Sequence, residues 1–283
     1  MRNNEDRMGA HAKSDGSAAS AASSGSDAPF SFVTPTDFVE LPSKGKLYPE
    51  GHPLHNKEEI EIRYMTARDE DILTSKTLLQ KGIAIERVLE NVIVDKEIRV
   101  EDLLIGDKNA IIIATRITGY GEEYKTRIAC PSCARGADYS FDLSLLAASQ
   151  EEDVEGENVE ATLDGTYIVT VPITGARVEI RLLTGADEAY LTKLAENKAK
   201  KKMAATALTD QFMRMVVSVN GDERNPSRAA FIQHMPARDS RYLRGIYEKI
   251  SPNIDMTQTF ICESCGFEQD MEVPLTVDFF WPK

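Results

Sequence analysis

Long apolar runs are missing from this 283-residue chain. Internal ones such as Ala110-Ile111-Ile112-Ile113-Ala114 fall far short of the roughly 20 residues that a membrane-spanning helix needs, and read as core. Met1-Arg2-Asn3-Asn4-Glu5-Asp6 leads into no apolar segment, so no secretory signal is expected and a reducing cytosol is. Positive charge is also scarce. Lys and Arg number 33 against 46 Asp and Glu, a formal net charge of −13. Duplex binding by counterion release needs clustered cations facing phosphates, so the acidity counts against nucleic acid and leaves only a local patch open to it. The motifs G-x-x-x-x-G-K-[ST], H-E-x-x-H and G-x-S-x-G are absent, and no carboxylate pair stands out as acid and base. The expectation is a non-enzymatic protein with no small-molecule substrate and no membrane contact.

What remains is ordinary for a folded protein: 42% hydrophobic and 28% charged residues, in a length that suits about two domains. Residues 1–29 read as a disordered tail, because 16 of the 21 residues from Gly9 to Pro29 are Gly, Ala or Ser and cannot offset the entropy of ordering. Residues 30–57 read as an extended arm. Its stretch Leu41-Pro42-Ser43-Lys44-Gly45-Lys46-Leu47-Tyr48-Pro49-Glu50-Gly51-His52-Pro53-Leu54 excludes a helix interior or central strand. A first module spans 58–148. Residues 149–166, with seven acids, form an acidic linker. A second module spans 167–283.

Each module opens alike. Glu59-Ile60-Glu61-Ile62-Arg63-Tyr64 alternates as a strand, and Thr66-Ala67-Arg68-Asp69 carries a helix N-cap with an acid three residues on. Glu179-Ile180-Arg181-Leu182 and Thr184-Gly185-Ala186-Asp187 repeat this at an offset of 118. In the first module, helices are expected around Ile72, Leu73 and Leu79 up to Gly82, around Ile85 to Ile93, and over Asn109 to Ile117 up to Gly119. In the second they are expected around Phe212, Met213, Val216, Val217 and Val219, around Phe231 and Ile232, and over Arg241 to Ile250. The shared order predicts an α+β fold of two duplicated, mainly helical modules, each ending in a β-hairpin.

All four cysteines fall in two C-x-x-C pairs, Cys130/Cys133 and Cys262/Cys265, each between alternating apolar residues. Such turns bring two thiolates onto one ion, and two turns complete a closed tetrahedral site. The hairpins are therefore read as zinc knuckles sharing one structural Zn2+, which would clip the modules together. With all four positions taken by cysteine, no coordination position is left for hydrolysis. A redox dithiol pair and free structural cysteines remain the other readings; a disulfide is disfavoured in the cytosol. His52 and His55 read as part of a polar arm, and Lys198, Lys200, Lys201 and Lys202 as a solvated helix face. The end, Phe279-Phe280-Trp281, suits an aromatic anchor, in a partner's groove or on the chain's own second half.

Leu41-Pro42-Ser43-Lys44-Gly45 with Tyr48-Pro49, followed by Glu61-Ile62-Arg63-Tyr64-Met65-Thr66-Ala67-Arg68-Asp69-Glu70-Asp71-Ile72-Leu73, resembles the baseplate hub proteins of T4-like contractile-tailed phages, best over residues 38–145. The Gly/Ala/Ser tail is a departure from that family. The resemblance implies a late phage protein of baseplate hub or tail-tube initiation, linked to chaperoning the tape-measure protein, with no catalytic residues to carry over. It implies hub and tape-measure proteins as partners, in the host cytoplasm during assembly or in the virion tail, and leaves oligomerisation open. Lys44, Lys46 and Tyr48 of the arm and Phe279, Phe280 and Trp281 of the end are the expected partner contacts. The second reading is a zinc-ribbon adaptor on nucleic acid or a polymerase; Arg127 and Arg135 favour it, and Glu268, Gln269, Asp270 and Glu272 oppose it. A third, an oxidoreductase using the dithiols, needs an accessible low-pKa thiolate.

Overall fold

The computed structural model describes residues 33–149, 154, 158–162, 164–274 and 277–280. The tail at 1–29 lies outside them. Residues Thr34–Lys283 form one compact unit, so the two expected modules are halves of a single body.

In the first half, β1 (Thr36–Glu40) pairs antiparallel with β2 (Glu59–Arg63), Val39 opposite Ile60. Alternation places Ile60 and Ile62 in the core. Three helices follow: α1 (Ala67–Thr74), α2 (Lys76–Lys81) and α3 (Ala84–Val92). One expected helix is thus two, broken at Ser75, whose extended backbone caps both. Next comes α4 (Ile105–Tyr120), which runs through Gly119 and stops at Gly121, where φ is +84°. β3 (Glu123–Ala129) and β4 (Gly136–Asp142) form the first cysteine hairpin, and β5 (Ala147–Ser149) leaves it.

The second half opens with β6 (Val159–Ala161), β7 (Thr166–Thr170) and β8 (Arg177–Arg181), and continues through α5 (Gly185–Lys200) and α6 (Ala207–Met215) into β9 (Val216–Val219). These strands make an antiparallel sheet in the order β6-β7-β8-β9. Val216, Val217 and Val219, expected in a helix, are a strand: a β-branched run with Val216 and Val219 buried against β8. Then follow α7 (Asn225–His234), α8 (Ala237–Ile250), β10 (Asn253–Asp255), and the second cysteine hairpin, β11 (Thr257–Ile261) with β12 (Glu268–Glu272).

The halves interlock. β5 of the first pairs with β10 of the second, Ser149 opposite Asn253, so the expected acidic linker begins inside a strand and holds β6 near its end. Gly106 of α4 lies against Pro252; a Cβ on it would fall 1.9 Å from that carbonyl oxygen.

The same hydrogen bonds recur in both halves. Arg63 grips Asp69 with both terminal nitrogens at 2.7 and 2.9 Å, and Arg181 grips Asp187 at 2.7 and 2.9 Å. The buried Asp107 accepts from the Ser43 amide at 3.0 Å, and the buried Asp239 from the Ile173 amide at 2.7 Å. Each acid is the third residue of its helix and faces an X-Pro-X-X-Gly turn, Leu41–Gly45 or Val171–Gly175. The expected arm therefore holds β1 and the turn between β1 and β2, and that turn lies on the chain's own α4.

Candidate metal centre

Two identical turns position the four sulfurs. In the first, Cys130 N–H donates to the Arg135 carbonyl at 2.9 Å and its own carbonyl accepts from Ala134 N–H at 2.8 Å. In the second, Cys262 N–H donates to the Phe267 carbonyl and Gly266 N–H to the Cys262 carbonyl, both at 2.8 Å. Ala134 (φ +57°) and Gly266 (φ +69°) take the left-handed conformation that closes each loop. The strands then carry the turns toward each other. Tyr139 Oη of β4 donates to the Thr259 carbonyl of β11 at 2.9 Å, and its ring meets Phe260 edge-on at 5.0 Å between centroids.

All four Sγ atoms lie within 4.8 Å of one another. Cys130 and Cys265 are 3.8 Å apart across the hairpins, and Cys133 and Cys262 are 3.9 Å apart. These are far beyond an S–S bond of about 2.05 Å. Four sulfurs bound tetrahedrally about 2.3 Å from one zinc ion stand roughly 3.8 Å apart, so the residues fit the metal. Cys130 and Cys262 are buried, Cys133 is half-buried and Cys265 is exposed. Phe260 packs among them, flanked by Ile128, Tyr139, Phe267 and Met271, a largely apolar surround that strengthens charge–charge attraction.

Electrostatics favour a cation here. The Cys133 amide, with that of Ser132, holds the Cys130 thiol down at about 7. At Cys265 the Phe267 amide also pulls the thiol down, but desolvation and the other three sulfurs outweigh it and push it up to about 12. The cluster accepts one negative charge readily and resists the next. A dication relieves that repulsion and would let all four bind as thiolates.

The other expected contacts divide. Lys44 and Lys46 are exposed. Tyr48 is buried: its hydroxyl donates to Asp107 at 2.7 Å and accepts from the Leu104 amide at 3.1 Å. Phe279 and Phe280 are each 2% exposed, so they serve the chain's own core instead of a partner surface. The end docks on the first half rather than the second: Phe279 meets Tyr124 edge-on at 5.0 Å and its carbonyl accepts from Arg116 Nε at 2.8 Å. Trp281 lies outside the described residues. His52 stacks on Tyr48 at 4.5 Å, and His55 Nδ1 lies 2.7 Å from the Tyr48 carbonyl, so both are used locally. In the lysine run, Lys198 pairs with Asp210 at 2.5 Å.

Sequence reasoning missed Asp107 and Arg116, the polar hubs. Arg116 is 1% exposed and also donates to the Gly121 and Glu123 carbonyls at 2.8 and 3.1 Å, tying the helix end to the hairpin. Their one signal was charge inside an otherwise apolar helical stretch. No helix among the described residues is long and apolar enough to cross a membrane.

No curated protein and no solved structure matches the chain. Residues 34–281 match the family model described as T4 bacteriophage base plate protein, a span that takes in both halves and both cysteine hairpins. The chain thus belongs to the T4 bacteriophage base plate protein family.

Proposed function

We propose that this chain is a non-enzymatic subunit of the phage tail baseplate hub, acting in baseplate and tail assembly by binding hub or tape-measure proteins. Family membership over 34–281 carries this reading. On this reading the protein acts in the host cytoplasm during assembly, with the virion tail as a second location. The body is two copies of one module, made by duplication and locked by a single structural Zn2+ on Cys130, Cys133, Cys262 and Cys265. The matching Arg–Asp clamps and cysteine turns support the duplication. The sulfur spacing across the hairpins supports the metal. A rigid metal-clipped body suits a scaffold, because a preorganised surface loses little entropy on docking. The exposed Lys44 and Lys46 are the part of the expected arm that remains available to a partner.

The tests are direct. Elemental analysis of purified protein is expected to find about one zinc per chain; none, with four freely titrating thiols, rejects the centre. Affinity capture from infected cells, read by mass spectrometry, is expected to recover hub and tape-measure proteins. Recovery of polymerase or nucleic acid in their place would favour the adaptor reading. Mass spectrometry of mature particles beside assembly intermediates separates a permanent part from a transient chaperone.

A further inference from the structure

On a chain of net charge −13, α8 carries three arginines in register. Arg238, Arg241 and Arg244 of α8 are all exposed and recur every three residues. Among the described residues none of the three has an ion pair, whereas Arg63, Arg87, Arg177, Arg181, Arg214 and Arg224 each hold a carboxylate. Arg238 and Arg241 line a cleft of about 420 Å³ floored by Pro172, Tyr242, Gly245 and Ile246.

Two observations mark this face as unfinished. Gly245 sits inside the helix, where glycine is unfavourable relative to alanine, yet a Cβ there would meet nothing within 4 Å. Packing within the chain does not require it. It does open the cleft floor to close approach by another backbone. The matching helix of the first half supplies the second. At an offset of 132, α4 presents Gly106 and Asn109 where α8 presents Arg238 and Arg241. That face of α4 is covered: Gly106 abuts Pro252, and Asn109 Nδ2 donates to Asn253 Oδ1 at 3.3 Å.

We infer that the α8 face of Arg238, Arg241 and Arg244 docks an acidic segment of a partner protein, its carboxylates on the guanidinium groups and its apolar side chains on Pro172 and Tyr242. Guanidinium forks match carboxylates geometrically. The apolar floor suits the apolar side chains of a peptide and has no use for a phosphate backbone. The site is separate from the metal centre and does not depend on it.

Binding is read by fluorescence anisotropy with a labelled twelve-residue peptide of repeated Glu-Glu-Leu, and with single-stranded oligo-dT as the competing class. The full chain is expected to bind the peptide, less tightly as salt rises. The double variant R241E/R244E is expected to bind at least about tenfold more weakly, with unchanged melting and zinc content. Gly245→Leu, which fills the cleft without altering charge, is expected to weaken binding as well. No binding by the wild type, equal binding by the variants, or tighter binding of oligo-dT overturns the inference. So does binding that appears only once Glu151, Glu152, Asp153, Glu155 and Glu157 are neutralised, because the chain's own acidic run would then be the occupant.

Discussion

Cys262→Ser tests the proposed clip most sharply. Cys262 is 3% exposed and stands 3.9 Å from Cys133 of the other hairpin. The cross-hairpin sulfur pairs are 129 and 135 residues apart in sequence. Treated as a cross-link closing a loop of that size, the ion removes about 5 kcal/mol of chain entropy from the unfolded state. Gross zinc affinity in small metal-folded peptides is larger, roughly 10–16 kcal/mol, but the hairpins here already pack through Tyr139 and Phe260, so the cross-link figure is the fitting one. A loss of about 5 kcal/mol lowers the melting temperature of a domain this size by about 10–20 °C. The assay is thermal unfolding of wild type and Cys262→Ser, each with stoichiometric zinc and after chelation. Chelation is expected to bring the wild type down toward the variant and leave the variant unmoved. A wild type holding one zinc per chain that melts with the variant would refute the clip, because the ion would then be bound without joining the halves.

Three further outcomes follow from the buried polar hubs. At Asp69 and Asp187 burial alone would raise the carboxyls, but Arg63 and Arg181 with the cap amides outweigh it and hold each at about 2, below the ordinary 3.8. Each contributes about 2 kcal/mol that is fully present above pH 4 and lost as pH falls toward 2; in urea titrations across that window, Asp187→Asn is expected to flatten the pH dependence by about half. Asp107 has the opposite sign, since burial raises it in spite of the Ser43 and Tyr48 hydrogen bonds, so its share of stability declines as pH rises through that raised value. Asp107→Leu strands the Ser43 and Tyr48 donors and is expected to cost about 3–5 kcal/mol in denaturant unfolding. Truncation after Thr276 removes the buried Phe279 and Phe280 and is expected to cost about 3–5 kcal/mol; a melting curve unchanged by it would return the aromatic end to a partner-facing role.

Local patterns with a strict physical cause were readable from the sequence. Alternation located β2 and β8, the Thr/Asp caps located the starts of α1 and α5, and C-x-x-C located both hairpin turns. Elements decided by tertiary partners were not. Val216 to Val219 fit a helix period as well as a strand, and only the exposed edge of β8 chooses between them. Phe279 and Phe280 read as an anchor for a partner's groove or for the second half alike, because nothing local reveals that Tyr124 and Arg116 of the first half, more than 150 residues away, receive Phe279. The four sulfurs were legible as a set, but their approach to 3.8 Å depends on the packing of Tyr139 against Phe260.

The proline-rich stretch shows why composition misled. Matching elements of the halves stand at offsets of 130 for β1 and β7, 118 for β2 and β8, 123 for α3 and α6, and 132 for α4 and α8. The drop from 130 to 118 means that the first half carries about twelve extra residues between its turn and β2, and these hold Tyr48, His52 and His55. An insertion that covers a core must satisfy its own polar groups and those it buries. In the second half, with no such insertion, Thr174 Oγ1 donates to Asp239 at 2.9 Å. In the first, Ser43 Oγ of the turn donates to Asp107 at 2.6 Å, and the inserted Tyr48 adds a second hydroxyl donor at 2.7 Å and accepts the Leu104 amide at the start of α4. Prolines and glycines there report turns folded over the chain's own core, the one arrangement in which so many broken hydrogen-bond ladders bury a tyrosine. An arm held free for a partner would leave Asp107 without all three of its donors, since Ser43 and Tyr48 both lie in it, and the stability lost in Tyr48→Phe, about 1–2 kcal/mol by loss of one hydrogen bond to a buried carboxyl, measures how tightly the inserted residues are committed to the fold.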